Sequence, residues 1–578
     1  MDWRTGRRWA ERVRTSEGWL IGLAAAIGAG AGLLAVFQGL VAHLLQNTLY
    51  DLPISGRLSM VSALRPAQLL ILPLGGLTLG LVTLLIRRFW PKPPIDVVEA
   101  NALYGGRLSV RDAANISTQT ILSNGVGASV GLEAAYAQMG GTLGSLAGQR
   151  ANLRRGDIRI LVGAGAGAAI GAAFGAPLTG SFYAFEVVLG AYTPSAIAPV
   201  AAACLAAALV GRTLGAEPYL IAGNLNQVIL TPDYLLYAVL GALCALFGIG
   251  LMRLVSLVEI STRRLAVPDW LRPALGGLLL IPIVWASPQA LSAGHGALRL
   301  DLIGSAGIGV LLLLLFVKTC ASTISLGFNF RGGLFFASLF MGSLLGQIYV
   351  LVLAALGIDL PRLDGALVGM AALGVAVVGG PMTMSFLILE ATHDFALTSA
   401  VIAATLISSA VVRERFGYSF STWRMHLRGE TIRSARDVGW VRTLTASSLM
   451  RDVPRTPADA SVAEFKERFP LGSTQRVAVV DAAGHYCGII TPSTVYAANL
   501  AADASVASLA IQEQQMLPPE ADIAQVMRRF DETQADELAV VGPDRQLLGI
   551  VSEKFVRKRY AEELDKMQRA LFGEQGQA

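Results

Sequence analysis

Runs of small and apolar residues, cut by short polar junctions, occupy most of this chain from residue 18 to about 413. The runs cover 18–45, 66–86, 116–147, 161–189, 195–214, 234–257, 274–285, 304–326, 333–356, 366–391 and 397–412. Lengths near twenty predict membrane-spanning helices. Many runs are instead short or glycine-broken, as expected where helix ends line a pathway near the bilayer midplane. Residues 51–65 read as a polar loop. Residues 89–116, with Pro91, Pro93 and Pro94, are no simple span. From about 440 the pattern becomes that of a soluble domain.

Two segments repeat. Pro177-Leu178-Thr179-Gly180-Ser181-Phe182 resembles Pro381-Met382-Thr383-Met384-Ser385-Phe386, 204 residues later (381 − 177). Gly131-Leu132-Glu133 pairs with Gly333-Leu334-Phe335, 202 later (333 − 131), and Met139-Gly140 and Gly144 meet Met341-Gly342 and Gly346 at the same offset. Two related halves are common in transport proteins, with the site at their interface. The tail repeats as well. Val477–Val480 leading to Gly488-Ile489-Ile490-Thr491 recurs as Leu538-Ala539-Val540-Val541 leading to Gly549-Ile550-Val551-Ser552, 61 residues on (549 − 488). Each unit predicts helix, buried strand, turn, strand and helix.

Composition agrees: 53% of residues are hydrophobic and only 15% charged, which fits a polytopic membrane protein. Arg4, Arg7, Arg8, Arg12 and Arg14 precede the first run, so the positive-inside rule places the N-terminus in the cytoplasm. The four cysteines and five histidines are scattered, with no metal-site or disulfide spacing. No basic, aromatic-interleaved surface suggests nucleic acid. His43, His295 and His393 lack the partners an intramembrane protease would need, and Glu133, Glu186 and Glu390 are too dispersed for a metal-ion transporter. Glu186 and Glu390 hold matching repeat positions, which favours a helix-ending role for both.

Glu133 lies within a glycine-rich apolar stretch, 125–141. A carboxylate in lipid is costly and usually faces a water-filled cavity or binds something. Glycines admit close backbone approach, and helix-start N–H groups attract anions. Such an acid could compete with a permeating anion, which would make it a gate. A glutamate at a helix end in water fits the same residues.

These motifs, in this order, resemble the CLC family of chloride channels and proton-coupled anion antiporters, over roughly residues 20–430. Gly131-Leu132-Glu133-Ala134-Ala135 stands where the family has Gly-Lys/Arg-Glu-Gly-Pro, and Gly333-Leu334-Phe335-Phe336-Ala337 where it has Gly-x-Phe-x-Pro. Gly175-Ala176-Pro177-Leu178-Thr179-Gly180 and Leu389-Glu390-Ala391-Thr392 also match. The tail resembles a paired CBS module. The resemblance implies an all-α polytopic membrane domain of two inverted-topology repeats with broken helices, plus a small α/β cytoplasmic CBS pair. The corresponding division is a cytoplasmic segment 1–17, a membrane domain 18–430, a linker 431–445, CBS units at about 446–500 and 505–560, and a tail 561–578. It further implies a homodimer with one anion pathway per subunit, both termini cytoplasmic, in the inner or plasma membrane if the source is bacterial. Glu133 takes the gating position. Anion contacts fall to Gly131, Leu132, Gly333, Leu334, Phe335, Phe336 and Ser421.

Several positions depart from the family. The internal proton-transfer acid, just after the position of Glu186, is Val187, as in many family channels. The serine of the central anion site falls at Pro93 and its tyrosine near Ser421, with Tyr418 three residues earlier. Leu132 replaces the basic residue beside the gate, and Arg331 stands where relatives have a small residue. In the CBS pair the ribose-binding aspartates are replaced by Thr494 and Phe555, so adenine nucleotide binding and a purely structural role both stand. The expected function is a voltage- or pH-gated, chloride- or nitrate-type anion channel, not an enzyme and without a cofactor. The alternative is a proton-coupled antiporter.

Overall fold

The computed structural model describes residues 17–53, 56–215, 229–427, 444–497 and 501–572. It divides into two compact units at Asp437/Val438. The expected segments 1–17 (except Glu17) and 431–445 (except its last two residues), and the end of the tail beyond 572, lie outside the described residues.

In the first unit the helices are α1 (Glu17–Tyr50), α2 (Ile71–Phe89), α3 (Val97–Leu103), α4 (Val110–Gly125), α5 (Glu133–Arg150), α6 (Arg155–Phe174), α7 (Pro177–Tyr183) and α8 (Pro194–Thr213). Then follow α9 (Thr231–Arg264), α10 (Arg272–Ala286), α11 (His295–Ile303), α12 (Ile308–Gly327), α13 (Phe335–Ala355), α14 (Arg362–Val378), α15 (Pro381–Thr392), α16 (Phe395–Arg415) and α17 (Phe420–Leu427). Among the described residues, eight helical stretches are long and apolar enough to cross a membrane. α6 and α13 have 78% and 72% of their apolar windows buried, against 39% for α1. They form the protein-enclosed centre, while Leu33, Phe37, Leu40 and Leu44 of α1 face outward.

Small residues set this packing. With lipid as solvent, helices associate where backbones come close. A Cβ on Gly28 or Gly32 of α1 would stand 2.0 or 2.7 Å from the Ala203 or Ala207 carbonyl oxygen of α8. The two halves repeat one contact: on Gly140 of α5 it would lie 2.1 Å from the Gly165 oxygen of α6, and on Gly342 of α13, 2.4 Å from the Gly369 oxygen of α14.

The repeats also exchange caps. The Glu390 carboxylate accepts from the N–H groups of Leu178 and Thr179, both at 2.8 Å, and from Thr179 Oγ1 at 2.7 Å. Glu186 reciprocates with Met382 and Thr383 N–H at 3.0 and 2.8 Å and Thr383 Oγ1 at 2.7 Å. Each acid meets orphan N–H groups and the positive end of a helix in the other half, the helix-terminal role expected for both. Phe182 and Phe386 stack beside these caps, centroids 4.3 Å apart.

Three runs read as continuous are divided. The 116–147 run contains α4 and α5, parted by Gly127 in a positive-φ conformation (φ 92°). The 161–189 and 366–391 runs break at Gly175 (φ 66°) and Gly379 (φ 88°), and Pro177 and Pro381 start the next helices. A left-handed glycine ends a helix and proline opens one, so the apolar pattern continues through a real break. The loop at 51–65 also carries a 3-10 turn, Leu58–Met60. Glu186 and Val187 lie in a π-helical turn, Ala184–Leu189, rather than an α-helix.

The second unit contains two three-stranded sheets: β1 (Arg455–Pro457), β2 (Val477–Val480) and β3 (Tyr486–Ile490), then β4 (Met516–Leu517), β5 (Glu537–Val541) and β6 (Leu547–Ser552). In each the first strand pairs parallel with the second and the second antiparallel with the third. The repeated hairpins were legible, whereas β1 and β4 are too short to announce themselves. Helices α18 (Val462–Arg468), α19 (Pro492–Ala497), α20 (Ile523–Thr533) and α21 (Glu553–Phe572) complete the α/β region.

Candidate functional site

Glu133 is the first residue of α5 and only 4% exposed. The loop before it is buried, so its polar groups need internal partners. Asn124 Nδ2 donates to Val130 O at 2.8 Å, Ser129 N–H donates to Ser325 Oγ at 3.0 Å, and Gln46 Nε2 reaches Asn124 Oδ1 at 2.9 Å and Ser292 Oγ at 3.1 Å. A network reaching three other helices and a loop thus fixes the approach to the acid.

The two repeats meet here. Gly131 N–H donates to Gly333 O at 3.0 Å, and Gly333 N–H donates to Gly131 O at 3.3 Å. Matching residues pair with each other, as a two-fold relation requires, and both N–H groups are spent on that bridge. Leu132 and Leu334 are the N-caps of α5 and α13, which start at Glu133 and Phe335. The N–H groups of a first helical turn lack intrahelical acceptors, so two positive helix ends converge. The Glu133 carboxylate accepts from its own backbone N–H and from that of Phe336. It lies at the start of α13, and its Oε2 has no hydrogen-bond partner. Gly131 permits this pose, because a Cβ there would fall 1.9 Å from Glu133 Oε2.

Aromatic rings wall the site. Phe335 packs on Phe174 and Tyr183, with centroids 5.3 and 6.3 Å apart, and Phe336 stacks on His295 at 3.6 Å. Tyr183 is 8% exposed.

Ser421 is half-buried in the first turn of α17, and Tyr418 stacks with His426 outside that helix at 4.7 Å. Pro93 is exposed before α3, whose start is capped by Asp96, accepting from Val98 and Glu99 N–H at 2.8 and 3.1 Å. A carboxylate thus caps the helix that begins shortly after Pro93, the position that the resemblance gave to the serine of the central site. Arg331 contributes its backbone N–H to Ser123 Oγ at 2.9 Å. Val187 is half-buried against the apolar core. Lys318, Tyr183 and Asp96 were not singled out from the sequence. The signal for Lys318 was available, as one lysine inside the apolar run 304–326.

In the second unit a cleft of about 530 Å³ lies between the sheets, lined by Arg476, Thr491, Asp536, Glu537, Ser552 and Lys554 among others. Arg476 spans it, bonding Thr491 Oγ1 and pairing with Asp536 and Glu537 at 3.4 and 3.6 Å. Thr494 and Phe555 supply no carboxylate for a ribose, and the acids present would repel phosphates. Calorimetric titration of the full-length protein with ATP is expected to show no saturable heat at millimolar nucleotide. A clear saturable isotherm, lost in Arg476→Ala, would contradict this.

Residues 75–413 match the family model described as voltage gated chloride channel. The voltage-gated ClC-type chloride channel ClcB of Escherichia coli O81 (strain ED1a) is 28% identical over 371 residues, covering 61% of this chain and 87% of ClcB. The crystal structure of a slow cyanobacterial Cl⁻/H⁺ antiporter aligns with a TM-score of 0.62 at 21% identity, over 71% of this chain and 97% of that one. A eukaryotic CLC transporter aligns with a TM-score of 0.59 at 18% identity, over 93% of this chain and 97% of its own. The last match is too broad for the membrane unit alone and takes in the α/β tail. With a family model spanning more than half its length and helix ends converging on one buried acid, the chain belongs to the voltage-gated chloride channel (CLC) family, whose members move anions across membranes.

Proposed function

We propose that this chain is a pH- or voltage-gated anion channel with one pathway in each subunit of a homodimer, and that Glu133 is its gate. The observation that carries this reading is the Glu133 carboxylate at the N-terminus of α13, hydrogen-bonded to Phe336 N–H. Backbone N–H groups compensate a desolvated anion without the grip of a full opposite charge. The ionised side chain excludes an anion from that place. A neutral side chain has less to gain there and yields to one.

Uncoupled transport is supported by the residues around Val187. Valine cannot carry a proton, and neighbouring Glu186 is engaged by Met382, Thr383 and the Tyr192 hydroxyl, the last at 2.8 Å. The second reading, a proton-coupled antiporter, draws on Tyr183. A buried phenol packed on Phe335, at the helix start where Glu133 lies, is a candidate route that avoids Val187. Proteoliposomes with an imposed anion gradient and a pH-sensitive dye test the two readings. Channel behaviour is anion flux without uphill proton movement. Sustained proton pumping that is abolished by Tyr183→Phe would establish the second reading.

A further inference from the structure

In the second unit, two matching positions of the tail repeat carry opposite charges. Arg476 precedes β2 and Glu537 begins β5, 61 residues later (537 − 476). Thr491 and Ser552 are mates at the same offset (552 − 491). All four line the cleft between the sheets. Arg476 and Glu537 meet there, with Nε 3.6 Å from Oε2. Arg451 donates to the other oxygen, Oε1, while its backbone pairs with Ile550 of β6. The Glu537 side chain is only 10% exposed, so its carboxylate is buried between two guanidinium groups. Its Oε2 still has no hydrogen-bond partner. The neighbouring Asp536 is 83% exposed and lies 3.4 Å from Arg476. The third acid of the lining, Glu553, accepts from Arg557 at 2.7 Å.

The groups around Glu537 are those that bind phosphate oxygens. Arg451 and Arg476 are guanidinium forks, Lys554 adds a third cation, and Thr491 and Ser552 supply hydroxyls. A volume of about 530 Å³ accommodates a small polyanion. We infer that Glu537, assisted by Asp536, is the specificity-determining residue of this cleft: its carboxylate stands in for a ligand's phosphate and closes the cleft to phosphate-bearing ligands. A tethered carboxylate loses no translational freedom when it binds, so an incoming phosphate starts at a disadvantage. It also meets like charge at the place its oxygens need. The inference is independent of the gate at Glu133.

The test is calorimetric titration of the full-length protein in detergent with inorganic tripolyphosphate. The proteins compared are wild type, Asp536→Asn, Asp536→Asn/Glu537→Gln, and that double variant with Arg476→Ala added. Asparagine and glutamine keep the shape of the acids and remove their charge. Wild type should give no saturable heat at millimolar tripolyphosphate. The double variant should give a saturable isotherm, at least about tenfold tighter than wild type, and Arg476→Ala should abolish it. A double variant that melts like wild type yet binds no more tightly would overturn the inference. So would a gain that survives Arg476→Ala, which would reflect net charge alone, or saturable binding by wild type, whose carboxylate would then exclude nothing. Asp536→Asn alters an exposed side chain and carries the test if the double variant does not fold. It should show a smaller gain, and no gain would count against the inference in the same way.

Discussion

Anion flux through Glu133→Gln protein is expected to persist and to lose most of its dependence on pH. Glutamine is close in shape to protonated glutamic acid and bears no charge at any pH. The wild-type carboxylate lies at two helix starts, where its own backbone N–H and that of Phe336 face it. Removing the charge leaves the same N–H groups for the permeating ion. Flux at neutral pH should then lie at or above the acid-stimulated level of the wild type. The check is efflux from proteoliposomes over a pH series, for Glu133→Gln and Glu133→Ala together. A pH response of wild-type size in both would remove Glu133 from the gate.

Gly131→Ala should open the pathway while leaving Glu133 chemically intact. The added methyl would stand 1.9 Å from Oε2, 2.7 Å from Cδ and 2.8 Å from Oε1 of Glu133. Gly131 is not among the positive-φ glycines, so the collision and not backbone strain carries the effect. The carboxylate is the mobile partner, whereas the backbone is tied to Gly333 by two hydrogen bonds. Overpacking by one methyl costs about 1–3 kcal/mol, which shifts a closed/open ratio by roughly fivefold to a hundredfold. Flux at neutral pH should rise accordingly. Gly333→Ala is the matched control, since a Cβ there would lie 3.8 Å from Oε2, with no collision. Equal behaviour of the two variants would argue against the carboxylate's pose.

The features legible in the chain and those that were hidden differ by the range of interaction. The repeat was visible because both halves use small residues at corresponding places, such as Gly140 and Gly342, for the same close helix contact. Glu133 stood out because a carboxylate among glycines in lipid has few cheap explanations. The helix breaks at Gly175 and Gly379 were hidden because apolar composition continues across them. The mutual bridge of Gly131 and Gly333, which spends two N–H groups expected to face the anion, depends on a contact between residues 202 apart (333 − 131). Pro93 and Ser421 are where the resemblance expects departures from the family pattern, but neither told that Asp96 would cap α3. Lys318 was visible as a lone lysine in an apolar run, a signal that the average hydropathy of the run passes over.

The central claim is that anions pass Glu133 without stoichiometric coupling to protons. A single carboxylate that exchanges protons with one side can set opening without driving antiport, and coupling needs a proton relay, which Val187 does not supply. The most direct measurement is the reversal potential of reconstituted protein under a fixed chloride gradient as the pH on one side is changed. The potential should remain at the chloride Nernst value while the conductance changes. A reversal potential that moves with the pH gradient, and returns to the Nernst value in Glu133→Ala, would contradict the claim.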